Sequence, residues 1–292
     1  MHLIRRGSGK PLLLVHGLGG SWRSWLPVLD HLAGEREVIA VDLPGFGQTP
    51  PLSGQTSIRT LADTLALFLA AEGLTGVDAA GSSMGGRLVL ELARRGGVLG
   101  ATVALGPGGF WRGWQRHYLY GSLSLSARLV RRLQPVLPQL AGSAAARTAL
   151  LAQLSAHPWR LSPALVLSEL RGIAASPSFD ELLHRLAYGE PQQGAPRGSI
   201  RQPLVIGWGR RDRVCLPDQA QRAVQAFPDA HLHWFQHSGH FPQWDAPWET
   251  SQLILAGTRG LLTAGGTSGL QAEAGLGWAV RAGQPAPGPT AG

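Results

Sequence analysis

The chain has 292 residues, 44% of them hydrophobic, which suffices for one large domain or for a core with an inserted subdomain and excludes global disorder. A formal net charge of +8 raises nucleic acid or an anionic surface as partners. Neither is expected, because the positive charge is nearly all arginine scattered along the chain, with Lys10 the only lysine. Cys215 is the single cysteine, so no intrachain disulfide can form and no oxidising compartment is demanded.

The start, MHLIRRGSGKPLLLVHG, is basic and then apolar, but its apolar segment is too short for a signal sequence. No run reaches the roughly 18 apolar residues that span a bilayer, so a cytoplasmic protein without integral membrane association is expected. Further along, short apolar runs alternate with helical patterns. Strands are expected at 12–15, 38–41, 77–80, 102–105, 204–207 and 231–235. Helices with apolar residues three and four apart are expected at 25–33, 58–71, 84–95, 218–227 and 248–262. Such alternation predicts an α/β fold with a mostly parallel central sheet flanked by helices, and ligands beyond the carboxyl ends of the strands.

The alternation breaks at 108–197, where only helical patterns occur, among them 122–133, 144–154 and 163–174. The last of these has Ser162 as N-cap and Pro163 at its first position. The expected organisation is therefore a core formed by 1–107 and 198–263, an all-helical cap insertion at 108–197, and a Gly-, Ala- and Pro-rich disordered tail at 264–292.

Within AGSSMGGR, the segment Gly81-Ser82-Ser83-Met84-Gly85 fits G-x-S-x-G where an apolar run gives way to a helical one. A sharp strand-to-helix turn lifts the central hydroxyl above the sheet and crowds the backbones two positions to either side, which requires small residues there. That register selects Ser83, since Ser82 would be flanked by Ala80 and the bulky Met84. A serine needs a base, and the base an orienting acid. Asp212, in VIGWGRRDRVCLP, and His240, in FQHSGHFPQWDAP, each follow a strand and complete the order Ser…Asp…His. Taken singly, Asp212 reads first as a solvated turn carboxylate and His240 as a surface histidine; together they read as a triad with Ser83. Two backbone donors for an oxyanion are expected from Met84, at the helix start, and Leu18, in the glycine-rich loop of LLLVHGLGGSW. That loop lacks the spacing and lysine of a phosphate loop.

The segments LLLVHGLGGSWRSW, VIAVDLPGFGQTP, AGSSMGGR, WGRRDRV and SGHFPQWDAP resemble, in order, the hallmark segments of the α/β-hydrolase superfamily. The resemblance spans about 12–262 apart from the cap and implies an eight-stranded-type core. It also implies Ser83 as nucleophile, His240 as general base, Asp212 as its orienter, and Leu18 and Met84 as oxyanion donors. Relatives that open epoxides or remove halides carry aspartate at the nucleophile position, so Ser83 argues against both. Ser82 stands where relatives often have histidine, tyrosine or asparagine and is expected either to enlarge or tune the site or simply to hydrogen-bond locally through its hydroxyl; Asp245 replaces a usual glutamate as a neutral change.

Several residues have plainer readings. His16 is expected to brace the oxyanion loop, Asp42 to cap a turn, Cys215 to pack, and His231 and His233 to pack on a strand instead of holding a metal. In the cap, Phe110, Trp111, Trp114 and Trp159 are candidates for a substrate pocket, with cap packing the alternative for each. The expected function is cleavage of a carboxylic ester of a small or medium hydrophobic substrate through an acyl-enzyme, with no cofactor or metal. A small-molecule ester or related acyl compound is the partner, and no oligomeric state is assigned. One alternative uses the same triad for thioester or carbon–carbon bond hydrolysis or for a pyruvate-eliminating synthase reaction. Arg87 resembles a carboxylate-binding arginine of that synthase group. A non-catalytic binding module of the same fold is the second alternative.

Overall fold

The computed structural model describes residues 1–262. The expected tail at 264–292 lies outside them. Seven strands, not eight, form one sheet among the described residues: β1 Leu3–Arg6, β2 Pro11–Val15, β3 Glu37–Val41, β4 Val77–Ser82, β5 Leu99–Leu105, β6 Leu204–Gly209 and β7 His231–Phe235. Their spatial order is β1-β3-β2-β4-β5-β6-β7, with β1 antiparallel to β3 and every other pairing parallel. The strand missed in the sequence, β1, lies at an edge. It is four residues long and exposes Arg5 and Arg6, so it shows little apolar pattern, and its pairing with β3 is a tertiary event.

Alternation along the strands sorts side chains onto two buried faces. Leu13, Val15, Ile39 and Val41 belong to one apolar cluster, while Leu12, Leu14, Val38 and Ala40 belong to the other. Helices α2 Ile58–Ala71 and α3 Met84–Arg95 bury Leu61, Leu65, Leu88 and Leu92 against the first face. On the second, α1 Leu26–Ala33 contributes Val28, Leu29 and Leu32, and Leu253, Ile254 and Leu255 come from Pro247–Thr258, the last helix of the described residues. Helix α2 begins at Ser57, whose hydroxyl caps the Thr60 amide in a reciprocal capping box.

Between β5 and β6 the described chain is helical: α4 Trp114–Arg132, α5 Leu137–Gly142, α6 Ala144–Leu151, α7 Pro163–Ala175 and α8 Phe179–Tyr188, with short 3-10 turns between. Ser162 caps α7 by accepting from the Leu165 amide, with Pro163 in the first turn. The apolar cluster of this segment takes Val130, Leu137, Leu151, Val166 and Leu170 together with Phe241 and Trp244. The last two come from the segment after β7, Trp244 within the one-turn helix Pro242–Asp245, so this helical region shares its apolar core with the segment that carries His240.

Candidate active site

Strand β4 ends at Ser82, and α3 begins at Met84, leaving one residue for the turn. That residue, Ser83, has φ 56° and is the one non-glycine with positive φ among the described residues. A backbone held in this region costs on the order of 1–3 kcal/mol and persists only where its surroundings enforce it. Here Ser83 N–H donates to the Leu105 carbonyl (2.8 Å), and the flanking backbones close in. A Cβ on Gly81 would stand 2.2 Å from the Gly85 carbonyl oxygen, and one on Gly85 2.2 Å from that of Val15. Glycine at both positions is thus a steric requirement.

Loops after β6 and β7 bring the other two residues to this turn. His240 Nε2 lies 2.8 Å from Ser83 Oγ, and His240 Nδ1 lies 2.9 Å from Asp212 Oδ2. A carboxylate only accepts, so the proton sits on Nδ1 and Nε2 is left to accept from the Ser83 hydroxyl. The second oxygen of Asp212 accepts from the amides of Val214 (2.8 Å) and Cys215 (2.9 Å), which fixes the plane of the carboxylate. Asp212 and His240 are both buried. Burial, and then Asp212, push the Cys215 thiol upward, so it stays protonated and packs.

The loop after β2 completes the setting. His16 donates from Nδ1 to the Gly17 carbonyl (2.7 Å) and accepts at Nε2 from the Leu43 amide (3.0 Å). Its burial lowers its pKa, consistent with a neutral ring bracing this loop. Asp42 accepts from the amides of Gln48 and Trp22 and from His2, tying three segments instead of capping one turn. Leu18 lines the cavity in front of Ser83. Met84, as the first residue of α3, has an N–H with no intrahelical acceptor.

That cavity has about 770 Å³ of empty space, its open mouth included. Ser83 and His240 form part of its wall. Much of the remainder is aliphatic, from Leu123, Ala127 and Val130 of α4, Leu150 and Leu154, and Leu170 and Ile173 of α7. The six side chains expected to bind substrate lie elsewhere. Ser82 is fully buried behind Ser83, where it accepts from Gln243 Nε2 at 3.0 Å. Arg87 is buried under the 190–192 segment and donates to the Glu190 carbonyl at 2.5 Å. Phe110 meets Phe227 edge-on, and with Trp111 it lines a separate cleft beside Arg112, Arg116 and Arg222. Trp114 is 63% exposed at the start of α4, and Trp159 is half-exposed beside His157. The physical reason is helical phase: the face of α4 turned toward Ser83 is that of Leu123, Ala127 and Val130, which the aromatic residues at its start do not share.

Two further groups escaped the sequence reading. Asp245 is a clamp: its carboxylate accepts from the Gly239 amide (2.7 Å), the Ala156 amide (2.8 Å) and the Ser155 hydroxyl. It thereby joins the His240 loop to the insertion. Glu169 of α7 lies on the cavity wall, 6% exposed, and accepts from Ser24 Oγ at 2.8 Å. Burial raises its carboxyl to about 8, against a smaller lowering from the Ser24 hydrogen bond. One signal could have found it: an acid at the apolar spacing of Leu165, Val166, Leu170 and Ile173. At the strand flank, His233 pairs with Glu249 at 2.9 Å. Among the described residues no group of three metal-ligating side chains converges, and no helix is long and apolar enough to cross a membrane.

The sequence profile of the alpha/beta hydrolase fold family matches residues 10–247. The chain belongs to that family. Among curated relatives, this α/β hydrolase is 29% identical over 254 residues to the dihydrolipoyllysine-residue acetyltransferase component of the acetoin cleaving system of Pseudomonas putida. That match covers 85% of this chain but 63% of the relative, so the chain spans less than two thirds of its length. A shorter match, 38% identical over 93 residues (32% of this chain, 36% of the relative), is to a pimeloyl-[acyl-carrier protein] methyl ester esterase of Legionella pneumophila. Among solved structures, a thermophilic esterase of Thermogutta terrifontis superposes with a TM-score of 0.69 at 20% identity. That alignment covers 90% of this chain and 94% of the other, a likeness of fold.

Proposed function

We propose that this α/β hydrolase is a serine hydrolase that cleaves a carboxylic ester of a small or medium hydrophobic substrate. The observation that carries the proposal is the continuous hydrogen-bond chain Asp212–His240–Ser83, its nucleophile on a positive-φ turn facing an aliphatic cavity. The name of the Legionella pneumophila relative, a methyl ester esterase, supports it.

In this reading His240 Nε2 takes the Ser83 proton as Oγ attacks the ester carbonyl. The Met84 and Leu18 amides receive the oxyanion, and Asp212 holds the imidazole tautomer and stabilises its cation. The alcohol leaves with the proton from His240. Water, deprotonated by the same nitrogen, then releases the acid from the acyl-serine. No step calls for a metal or cofactor. The helical segment at 108–197 is read as a cap on a core of 1–107 and 198–263, supplying the aliphatic wall through α4, α6 and α7. The substrate is a small molecule; no nucleic acid enters the chemistry, and the protein is read as cytoplasmic. The synthase-type alternative loses its support, because Arg87 is turned away under Glu190 and does not line the cavity.

The test is labelling with a fluorophosphonate, beside turnover of p-nitrophenyl esters and matched thioesters. A Ser83-dependent adduct with ester turnover is the expected result. An adduct with turnover of thioesters alone would replace the ester by the thioester as substrate, and absence of any adduct would overturn the serine mechanism.

A further inference from the structure

Glu169 is a carboxyl that the triad does not use, yet it belongs to the same cavity. It reaches the wall from α7, where Leu165, Val166 and Leu170 pack into the insertion core. Its Oε1 accepts from Ser24 Oγ, and Oε2 has no hydrogen-bond or ion-pair partner among the described residues. A carboxyl this buried, with no cation beside it, is costly as an anion and inexpensive as a neutral acid. In the neutral form the proton falls to Oε2, because Oε1 is already occupied by the Ser24 hydroxyl. The result is a directed O–H donor on the α7 side of a chamber whose other polar side chains besides Ser83, His240 and Ser24 are Ser126 and Gln153.

Its position relative to Ser83 is set by one short loop. A Cβ on Gly17 would lie 3.1 Å from the Ser83 Cβ, and a Cβ on Gly20 would lie 2.6 Å from Ser24 Oγ, the donor to Glu169. Three residues on the chain thus separate contact with the reacting serine from contact with the Glu169 partner. Helix α7 is held against this loop: a Cβ on Gly172 would stand 2.6 Å from the Gly19 carbonyl oxygen.

We infer that Glu169 is a specificity-determining binding residue. Its Oε2–H donates to a second oxygen of the substrate, a keto, ether or hydroxyl oxygen distinct from the scissile ester. Substrates of this enzyme are then oxygen-bearing acyl esters, not plain hydrocarbon ones. The inference rests on the serine hydrolase reading and deepens it.

The test compares p-nitrophenyl esters of a straight acyl chain with chains of equal length in which a keto or ether oxygen is moved stepwise from the third position outward. The quantity read is the ratio of kcat/KM, oxygen-bearing over plain, in wild type, Glu169→Gln and Glu169→Leu. At one oxygen position the wild-type ratio should exceed that of Glu169→Leu by roughly threefold to tenfold at pH 7, as one hydrogen bond allows. Glu169→Gln, whose amide keeps both the Ser24 contact and a donor, should retain the preference. In wild type the preference should fade as pH rises through about 8, when the donor ionises, and in Glu169→Gln it should not. A merely structural Ser24–Glu169 brace would instead lower both substrates equally and leave the ratios alike, which overturns the inference while turnover of the plain chain keeps the hydrolase reading. Calorimetric binding of the same esters to the Ser83→Ala protein reads the preference without chemistry. Equal affinity for plain and oxygen-bearing chains there overturns the inference even if turnover is absent.

Discussion

Strand β4 carries a buried polar system at each end, and the two are completed differently. At its start, Asp78 accepts from Arg36 (2.7 Å), Lys10 (2.8 Å) and the Ala101 amide (3.0 Å), while Arg36 also donates to Thr258 Oγ1 and to the Lys10 and Pro11 carbonyls. Its one carboxylate faces two cations and each Arg36 guanidinium nitrogen has an acceptor, so the group holds the strands together. At the other end, Asp212, His240 and Ser83 form a chain that terminates in a hydroxyl facing a cavity, with Glu169 nearby lacking a partner for one oxygen. A buried network with all its valences filled contributes to stability, and one left open toward a cavity contributes to recognition or reaction. The same strand therefore separates scaffold from chemistry by about its own length.

The sharpest separation is expected from Ser83→Ala. Ester turnover should fall on the order of 10⁴-fold or more, while the free energy of urea unfolding shifts by less than about 1 kcal/mol. A large loss of stability would merge the two ends. Next comes Glu169→Gln, read through pH. The folded state keeps the Glu169 proton up to about 8, whereas the unfolded chain releases it near 4.5. Below 4.5 both states hold the proton and the residue contributes in full. As pH rises from 4.5 to about 8 the wild type loses stability, and the glutamine variant, which does not titrate, does not. The gap in unfolding free energy should widen across that window and level off above it, with a ceiling near ~5 kcal/mol. A flat difference between pH 5 and 9 would show the carboxyl solvated or paired.

At the opposite end, Arg36→Met leaves the buried Asp78 carboxylate with the exposed Lys10 as its remaining cation and should cost up to roughly 3–5 kcal/mol, of which the double change Arg36→Met with Asp78→Leu recovers part. Neither should alter kcat measured below the unfolding temperature, and a fall in kcat would mean that the two ends are coupled. Smallest is Ser82→Ala, which removes the partner of Gln243. About 1 kcal/mol of stability and no more than about a threefold change in kcat/KM are expected, whereas a tenfold loss would return Ser82 to substrate binding.

The elbow was legible because its demands are local. Gly81 and Gly85 are needed by backbone atoms within a few residues of Ser83 or directly beneath it, so the register could be read from five letters. That Asp212 and His240 meet at Ser83 could be read for a related reason, since each follows a strand whose apolar pattern is unmistakable. The cavity wall was not. Aromatic content suggested Phe110, Trp111, Trp114 and Trp159, but which face of α4 meets Ser83 depends on how the insertion packs on Phe241 and Trp244. Asp245 read as a neutral replacement, although its carboxylate joins the nearby Gly239 amide to the Ser155 hydroxyl and Ala156 amide of a segment far away in the chain.

By itself, then, the sequence determined the alternating α/β core, the register of the Ser83 turn and the chain order of the Ser83, Asp212 and His240 side chains that meet there. All of these follow from short-range periodicity and steric exclusion. Tertiary structure alone decided that Leu123, Ala127 and Val130 wall the cavity, that Ser82 and Arg87 face away from it, and that Glu169 stands in it with one oxygen unclaimed. The physical reason is that a side chain's chemistry is written in its residue type, whereas its solvation and its partners are supplied by helices that meet only when the chain has folded.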